Sequence, residues 1–233
     1  MPIRKLSNTA KIDLIESELG RKFEHPKLYR PNQLIDSRNE ESLAIIMSDT
    51  PSKISFGIWG MLPDDFKSDW EDYQKVYSTL HVRYKNLGQN EIANHSTTIQ
   101  NCLIIVTGFF IHHYKDGELY PYYVHAQQKP FCLAGIATTL DDGFITCAIL
   151  VKEAYGIVDK IQNMNSLTPV IMDSVCYDDW LDPHITDDAL KHLIHCGNDI
   201  HLLAHPIAKE LFKKDIQYES MLDPVAYKSL LDY

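Results

Sequence analysis

The sequence predicts an α+β domain: a curved, mainly antiparallel, barrel-like β-sheet core with flanking helices. Three observations carry the prediction. Short apolar runs bounded by turn residues cluster between about residues 43 and 172, while helical periodicities gather toward the two ends of the chain. A hairpin signal sits near the centre, where Asp116-Gly117 separates two strand-like runs. The 13 tyrosines suit half-buried strand positions, where an aromatic ring packs and its hydroxyl stays wet.

Taken in order, residues 8–19 place Ile12, Ile15 and Leu19 on one helical face, with Asn8 as a candidate N-cap and Gly20 as the stop. Residues 43–48 (LAIIMS) and 55–61 (SFGIWGM) read as strands. Residues 62–84 are acidic and aromatic and read as partly helical. Residues 102–114 (CLIIVTGFFIHHY) form one long apolar strand that turns at Asp116-Gly117 into 119–126 (LYPYYVHA). FCLAGIATT (131–139) and FITCAILVK (144–152) add two strands, and 153–162 a short helix. LTPVIM (167–172) is a strand entered through Pro169, and 175–181 and 185–195 are helical, each with aspartates near its start, where they complement the helix dipole.

The 233 residues carry no linker or repeat, so one domain over 1–233 is expected. The formal net charge of −10 lacks the basic surplus with which most nucleic-acid binders neutralise phosphates. Cys102, Cys132, Cys147, Cys176 and Cys196 are odd in number, widely spaced and without a CxxC, which predicts reduced thiols. The N-terminus lacks a signal-peptide core, and the longest apolar run is too short to span a bilayer. The expectation is a cytoplasmic, monomeric protein with no membrane association.

Candidate constellations are few. His192, His195, Cys196, His201 and His205 are dense, but Gly197 and Asp199 interrupt any single helix through them, and ordinary surface and core histidines explain them better than a metal site. His112 and His113 alternate across a strand, so at most one faces a site. The run from Asp64 to Asp72 reads as a solvated acidic face. No nucleophile elbow, phosphate-binding loop or dinucleotide fingerprint occurs, and neither a metal nor a cofactor is expected.

Several segments, in order, resemble the SOS-response-associated peptidase (SRAP) family, whose members guard abasic sites in single-stranded DNA. WGMLP (59–63), TLHVRYK (79–85), CLIIVTGFFIHH (102–113), YPYYV (120–124), FCLAGI (131–136), KIQNMNSLTPVIM (160–172) and DDWLDP (178–183) carry the likeness across nearly the whole chain. The resemblance implies an SRAP-like fold. It also implies a chemistry: an N-terminal cysteine closes a thiazolidine on the opened abasic sugar, helped by an asparagine, a glutamate and a histidine.

All four matching positions differ here. They are Pro2, His81, Ile111 and Gln162. Without a thiol no thiazolidine forms, and Ile111 cannot transfer a proton. Scaffold residues such as Trp59, Gly60, Pro63, Gly108 and Pro169 are retained, so the departures concentrate on the reactive set. The resemblance further implies that Arg83 contacts a DNA phosphate, and Trp59 is a candidate stacking residue.

Three expectations follow. The first is a catalytically degenerate SRAP protein that binds single-stranded DNA carrying an abasic site, or a protein partner. The second is a lyase in which Pro2 supplies an N-terminal secondary amine for iminium formation, with His81 as base. The third is an unrelated small-molecule pocket lined by Gln162, His81 and His112.

Overall fold

The computed structural model describes residues 3–87, 99–127, 129–212 and 218–230. In chain order its strands are β1 (Lys5–Asn8), β2 (Lys22–Phe23), β3 (Asn32–Asp36), β4 (Ser42–Met47), β5 (Lys53–Trp59), β6 (His81–Arg83), β7 (Gln100–Val106), β8 (Gly108–Lys115), β9 (Glu118–His125), β10 (Phe131–Thr139), β11 (Ile145–Glu153), β12 (Leu167–Pro169), β13 (Ile171–Met172) and β14 (Leu203–Pro206). The helices are α1 (Ile12–Leu19), α2 (Trp70–Tyr77), α3 (Gly156–Ile161), α4 (Tyr177–Trp180) and α5 (Asp187–Leu193).

The α+β class holds and most strand pairings are antiparallel, but the barrel-like sheet does not hold. The strands divide between two sheets. The smaller has the order β14-β9-β8-β1-β3 and is antiparallel throughout. The larger runs β12-β11-β10-β7-β4-β5-β2, with β6 and β13 attached to β11 and β10. It is mixed, because β2 and β6 pair in parallel with β5 and β11. It is not closed into a barrel: its order ends on β12 and β2, and β5 meets β11 across only the Thr146–Ile58 and Cys147–Trp59 pairs.

The physical cause of the two sheets is a break in the 102–114 run. β7 pairs β4 and β10 in the larger sheet, whereas β8 pairs β1 and β9 in the smaller. Between them, the Thr107 amide donates to Ser7 O at 2.7 Å. Gly108 is required next, since a Cβ there would lie 2.3 Å from the Tyr123 ring.

Alternation sets the layers. Leu43, Ile45 and Met47 face the core between the sheets, with Ile104, Phe109, Ile111 and Val124. Ala44 and Ile46 face the other side of the larger sheet, under Ile15 and Leu19 of α1 and Tyr177 and Trp180 of α4. Phe110 and Tyr123 point away from the main core, toward Ile207 and Met221.

α1 ends at Gly20 as expected, with φ 65° and its amide bonded to Glu16 O. Asn8, however, is no cap. It closes β1, its Nδ2 donates to Ile105 O at 3.0 Å, and α1 starts after Lys11 without a side-chain cap. The cysteines need correction too. Cys176 and Cys196 form a disulfide, while Cys102, Cys132 and Cys147 are buried and free. Among the described residues no helix is long and apolar enough to cross a membrane.

Candidate functional site

β8 carries Ile111 to one wall of a small pocket of ≈ 70 Å³. Gln162 supplies the facing polar wall, with Ile3, His112, Leu119 and Met164 around them. The meeting of Ile111 with Gln162 is built locally, from the end of α3. His113 Nδ1 lies 2.6 Å from Ile161 O. Asn163 uses its side-chain amide as an extra strand rung: it accepts from Tyr114 N at 2.8 Å and donates to Tyr114 O at 2.7 Å. These contacts press residues 161–163 against β8. Gln162 then spends its Nε2 on Leu167 O at 2.8 Å, closing the loop before β12.

The pocket is poor in acid–base groups. Ile111 is 2% exposed and forms an apolar floor. An amide such as Gln162 does not titrate near neutrality. Burial pushes the His112 imidazole down, with the nearby Lys5 charge adding to the effect. Leu119 and Met164 are largely exposed, so the rim is apolar as well.

His81 does not line this pocket but is linked to it through the backbone of Ile3. It begins β6, opposite Ile149 of β11. Its ring meets Trp59 edge-on at 6.0 Å. Burial pushes its pKa down to about 4, against a smaller opposing pull from the backbone of Ile3, a residue that also lines the pocket. Its Nε2 is buried and has no hydrogen-bond partner among the described residues. A neutral imidazole with one idle nitrogen can accept or donate a hydrogen bond but cannot act as a cation near neutral pH.

Arg83 lies two residues along the same strand, so it shares the His81 face, and it is exposed. Trp59 differs from expectation. It is 0% exposed, packs in the main core and donates Nε1 to Leu80 O at 3.0 Å, so it offers no face to a base. Pro2 lies outside the described residues.

The structure thus brings Ile111 and Gln162 together, holds His81 beside Ile3, and leaves Arg83 open on the same strand. Sequence reasoning missed Ile3, Leu119 and Met164. Ile3 and Leu119 lie in none of the family-like segments, and Met164 has no role assigned within 160–172; they enter the site through the segment before β1, the hairpin and the loop after α3. The histidines near the C-terminus scatter. Cys196 is spent on Cys176, His205 bonds Leu222 O at 2.8 Å from β14, and no group of three potential metal ligands gathers among the described residues.

Comparison with known proteins adds a family. The family described as "SOS response associated peptidase (SRAP)" matches residues 5–214. Three crystal structures share the fold. A protein from Bacteroides thetaiotaomicron is 18% identical, with TM-score 0.81 over 95% of this chain and 99% of that one. A protein from Bordetella bronchiseptica is 15% identical, with TM-score 0.67 over 88% and 99%. A phage-related protein from the same organism is 14% identical, with TM-score 0.63 over 88% and 94%. No curated protein matches.

Proposed function

This chain belongs to the SOS response associated peptidase family, and on that premise we propose that it binds single-stranded DNA non-covalently, holding an abasic or unpaired nucleotide at the Ile111–Gln162 pocket without reacting with it. The observation that carries this reading is the convergence of Ile111 and Gln162 in one pocket: two positions where the resemblance expects a carboxylic acid and an imidazole hold a sec-butyl floor and an amide. What is left is recognition chemistry. Exposed Leu119 and Met164 give the rim apolar faces for a sugar or base edge, and His81, linked to the pocket through Ile3, keeps an idle ring nitrogen. Arg83 supports a phosphate contact from the same face of β6. The net charge of −10 limits the affinity, because no broad basic field assists that contact.

Fluorescence anisotropy with labelled single-stranded oligonucleotides, with and without one abasic site, tests the reading. We expect weak, saturable, salt-sensitive binding. Arg83→Ala should weaken it and flatten the log affinity against log salt slope by about 0.7, the value of one single-strand phosphate contact. Absence of binding at low salt, or an unchanged affinity and slope for the variant, overturns it.

A second reading, the Pro2 lyase, is favoured by one observation: Ile3, which follows Pro2 in sequence, lines the pocket and lies against His81. Borohydride treatment of protein and abasic DNA separates the two. An adduct seen only with borohydride, and lost when the terminal amine is acetylated, supports iminium formation. A stable adduct without borohydride contradicts both readings.

A further inference from the structure

Ile3 precedes β1 and faces the pocket above; Asn8, at the other end of β1, faces a second and larger cleft of ≈ 440 Å³. Nothing in the family resemblance touches it. Its walls include Asn8, Tyr29, Arg30, Glu41, Ala44 and Phe56, contributed by β1, β4, β5 and the segments before β3 and β4.

The polar groups of this cleft are mismatched in one direction. Asn8 is 3% exposed; its Nδ2 is used on Ile105 O, but its Oδ1 is buried without a partner among the described residues. A buried acceptor left empty is costly and therefore points to a missing donor. Glu41 is half-buried in the same lining and has no ion pair among the described residues, unlike Asp36, which holds both Lys5 and Arg38. Burial pushes the Glu41 carboxyl up and the nearby Asp36 adds to this, while the Asn39 side chain opposes. A positive group brought into the cleft would relieve both the empty acceptor and the unbalanced carboxylate.

The remaining walls suit the same guest. Tyr29 and Phe56 both line the cleft and both pack on Phe23, at 5.0 and 5.9 Å between ring centroids, so their positions are held. Aromatic faces attract cations through the ring quadrupole. The one cationic wall residue, Arg30, is exposed and turns its Nη1 back onto Lys27 O and Tyr29 O, both at 2.7 Å. The volume lies in the range of small-molecule sites.

We propose that this cleft binds a small organic cation, a primary ammonium or guanidinium on an alkyl stem, with its charged head between Glu41 and Asn8 Oδ1 and its stem along Tyr29 and Phe56. The proposal is independent of the DNA reading, since it uses different residues and a ligand of opposite charge.

The test is titration of ¹⁵N-labelled protein with butylammonium and butylguanidinium, followed by NMR at the Asn8 side-chain amide and the backbone amides around Glu41, with butanol as the neutral control. Saturable shifts for the cations and none for butanol are expected. Glu41→Gln should weaken binding about tenfold, the loss of one charge-assisted contact. Arg30→Ala should tighten it by removing a like charge from the mouth. The same spectra report whether each variant is folded. Should Glu41→Gln not fold, loss of binding in the parent protein on acidification toward pH 4 takes its place as the test of the carboxylate. Equal shifts with butanol, no saturable shift at millimolar cation, or indifference to both variants overturns the proposal. Spermidine and a capped lysine tripeptide then distinguish a free amine from a protein-borne one.

Discussion

At the level of single residues, Ile111 decides what the pocket can do, and it can be challenged directly. Ile111→Glu would restore a carboxylate to a floor that is otherwise apolar. We expect a loss of about 2–4 kcal/mol at pH 7, as for an unpaired buried charge. Burial raises that carboxyl's pKa above its unfolded value. The folded state therefore holds the proton longer, and the loss should shrink as pH falls toward 4.5. Urea melts at the two pH values check this. His81 gives the complementary case. Its folded pKa of about 4 lies below the ordinary 6.5, so between those values the unfolded chain binds more protons and stability falls as pH drops. His112 and His125 are pushed the same way, mainly by burial. His81→Gln should show a shallower loss of stability from pH 6.5 to 4 than the parent.

These residues differ in how visible they are in the sequence. Ile111 and Gln162 stood out because flanking motifs aligned them with reactive positions. Trp59 is ambiguous in the sequence, since a tryptophan in a strand does not declare which face it takes, and here it faces the core between the sheets. Asn8 fits the usual cap signal, an Asn before an amphipathic run. Its side chain was instead claimed by the Ile105 carbonyl.

At the level of elements, the core strands and the hairpin were legible from apolar alternation and the Asp116-Gly117 turn. What escaped was short or shared. β1 (KLSN) is buried at all four positions yet has no apolar alternation, and β6 and β14 are only three and four residues long. The run from Cys102 to Tyr114 looked like one strand because nothing local marks Thr107 as a change of sheet; only the partners on either side do. The contact of α3 with β8 was equally hidden, since it depends on a side-chain amide. Asn163→Ala removes both rungs to Tyr114. We expect about 1 kcal/mol of lost stability and faster hydrogen exchange at the Tyr114 amide, with weaker ligand binding at the Gln162 wall.

At the level of the whole molecule, the layered arrangement explains how a protein of high negative charge stays compact: the two sheets bury one core between them, and helices cover the outer face of the larger. The disulfide between Cys176 and Cys196 ties the segment holding α4 to the turn after α5 across a sequence separation of 20. By chain entropy, reduction should cost about 3 kcal/mol, measured as a shift in the urea midpoint with and without dithiothreitol. The same turn is clasped by Lys152, whose Nζ donates to Ile194 O at 2.7 Å and to Asn198. Burial holds the Lys152 pKa down to about 8. Between there and the ordinary value the unfolded chain binds more protons, so stability should rise as pH is raised from 8 to 10.

The passage of one chain from the larger sheet to the smaller at Thr107 also makes the molecule intolerant of a change in length there. Side chains alternate along β8, so Phe109 and Ile111 turn toward the main core while Phe110 turns away. One residue added or removed between Val106 and Phe109 would shift that phase by half a period. It would send Phe110 into the space of Ile111 and leave Ile111 over Met221, turning the pocket floor inside out without altering any residue that lines it. Single-codon insertions and deletions along this stretch should therefore be far less tolerated than substitutions. The same changes at the Asp116-Gly117 turn would pass with little effect.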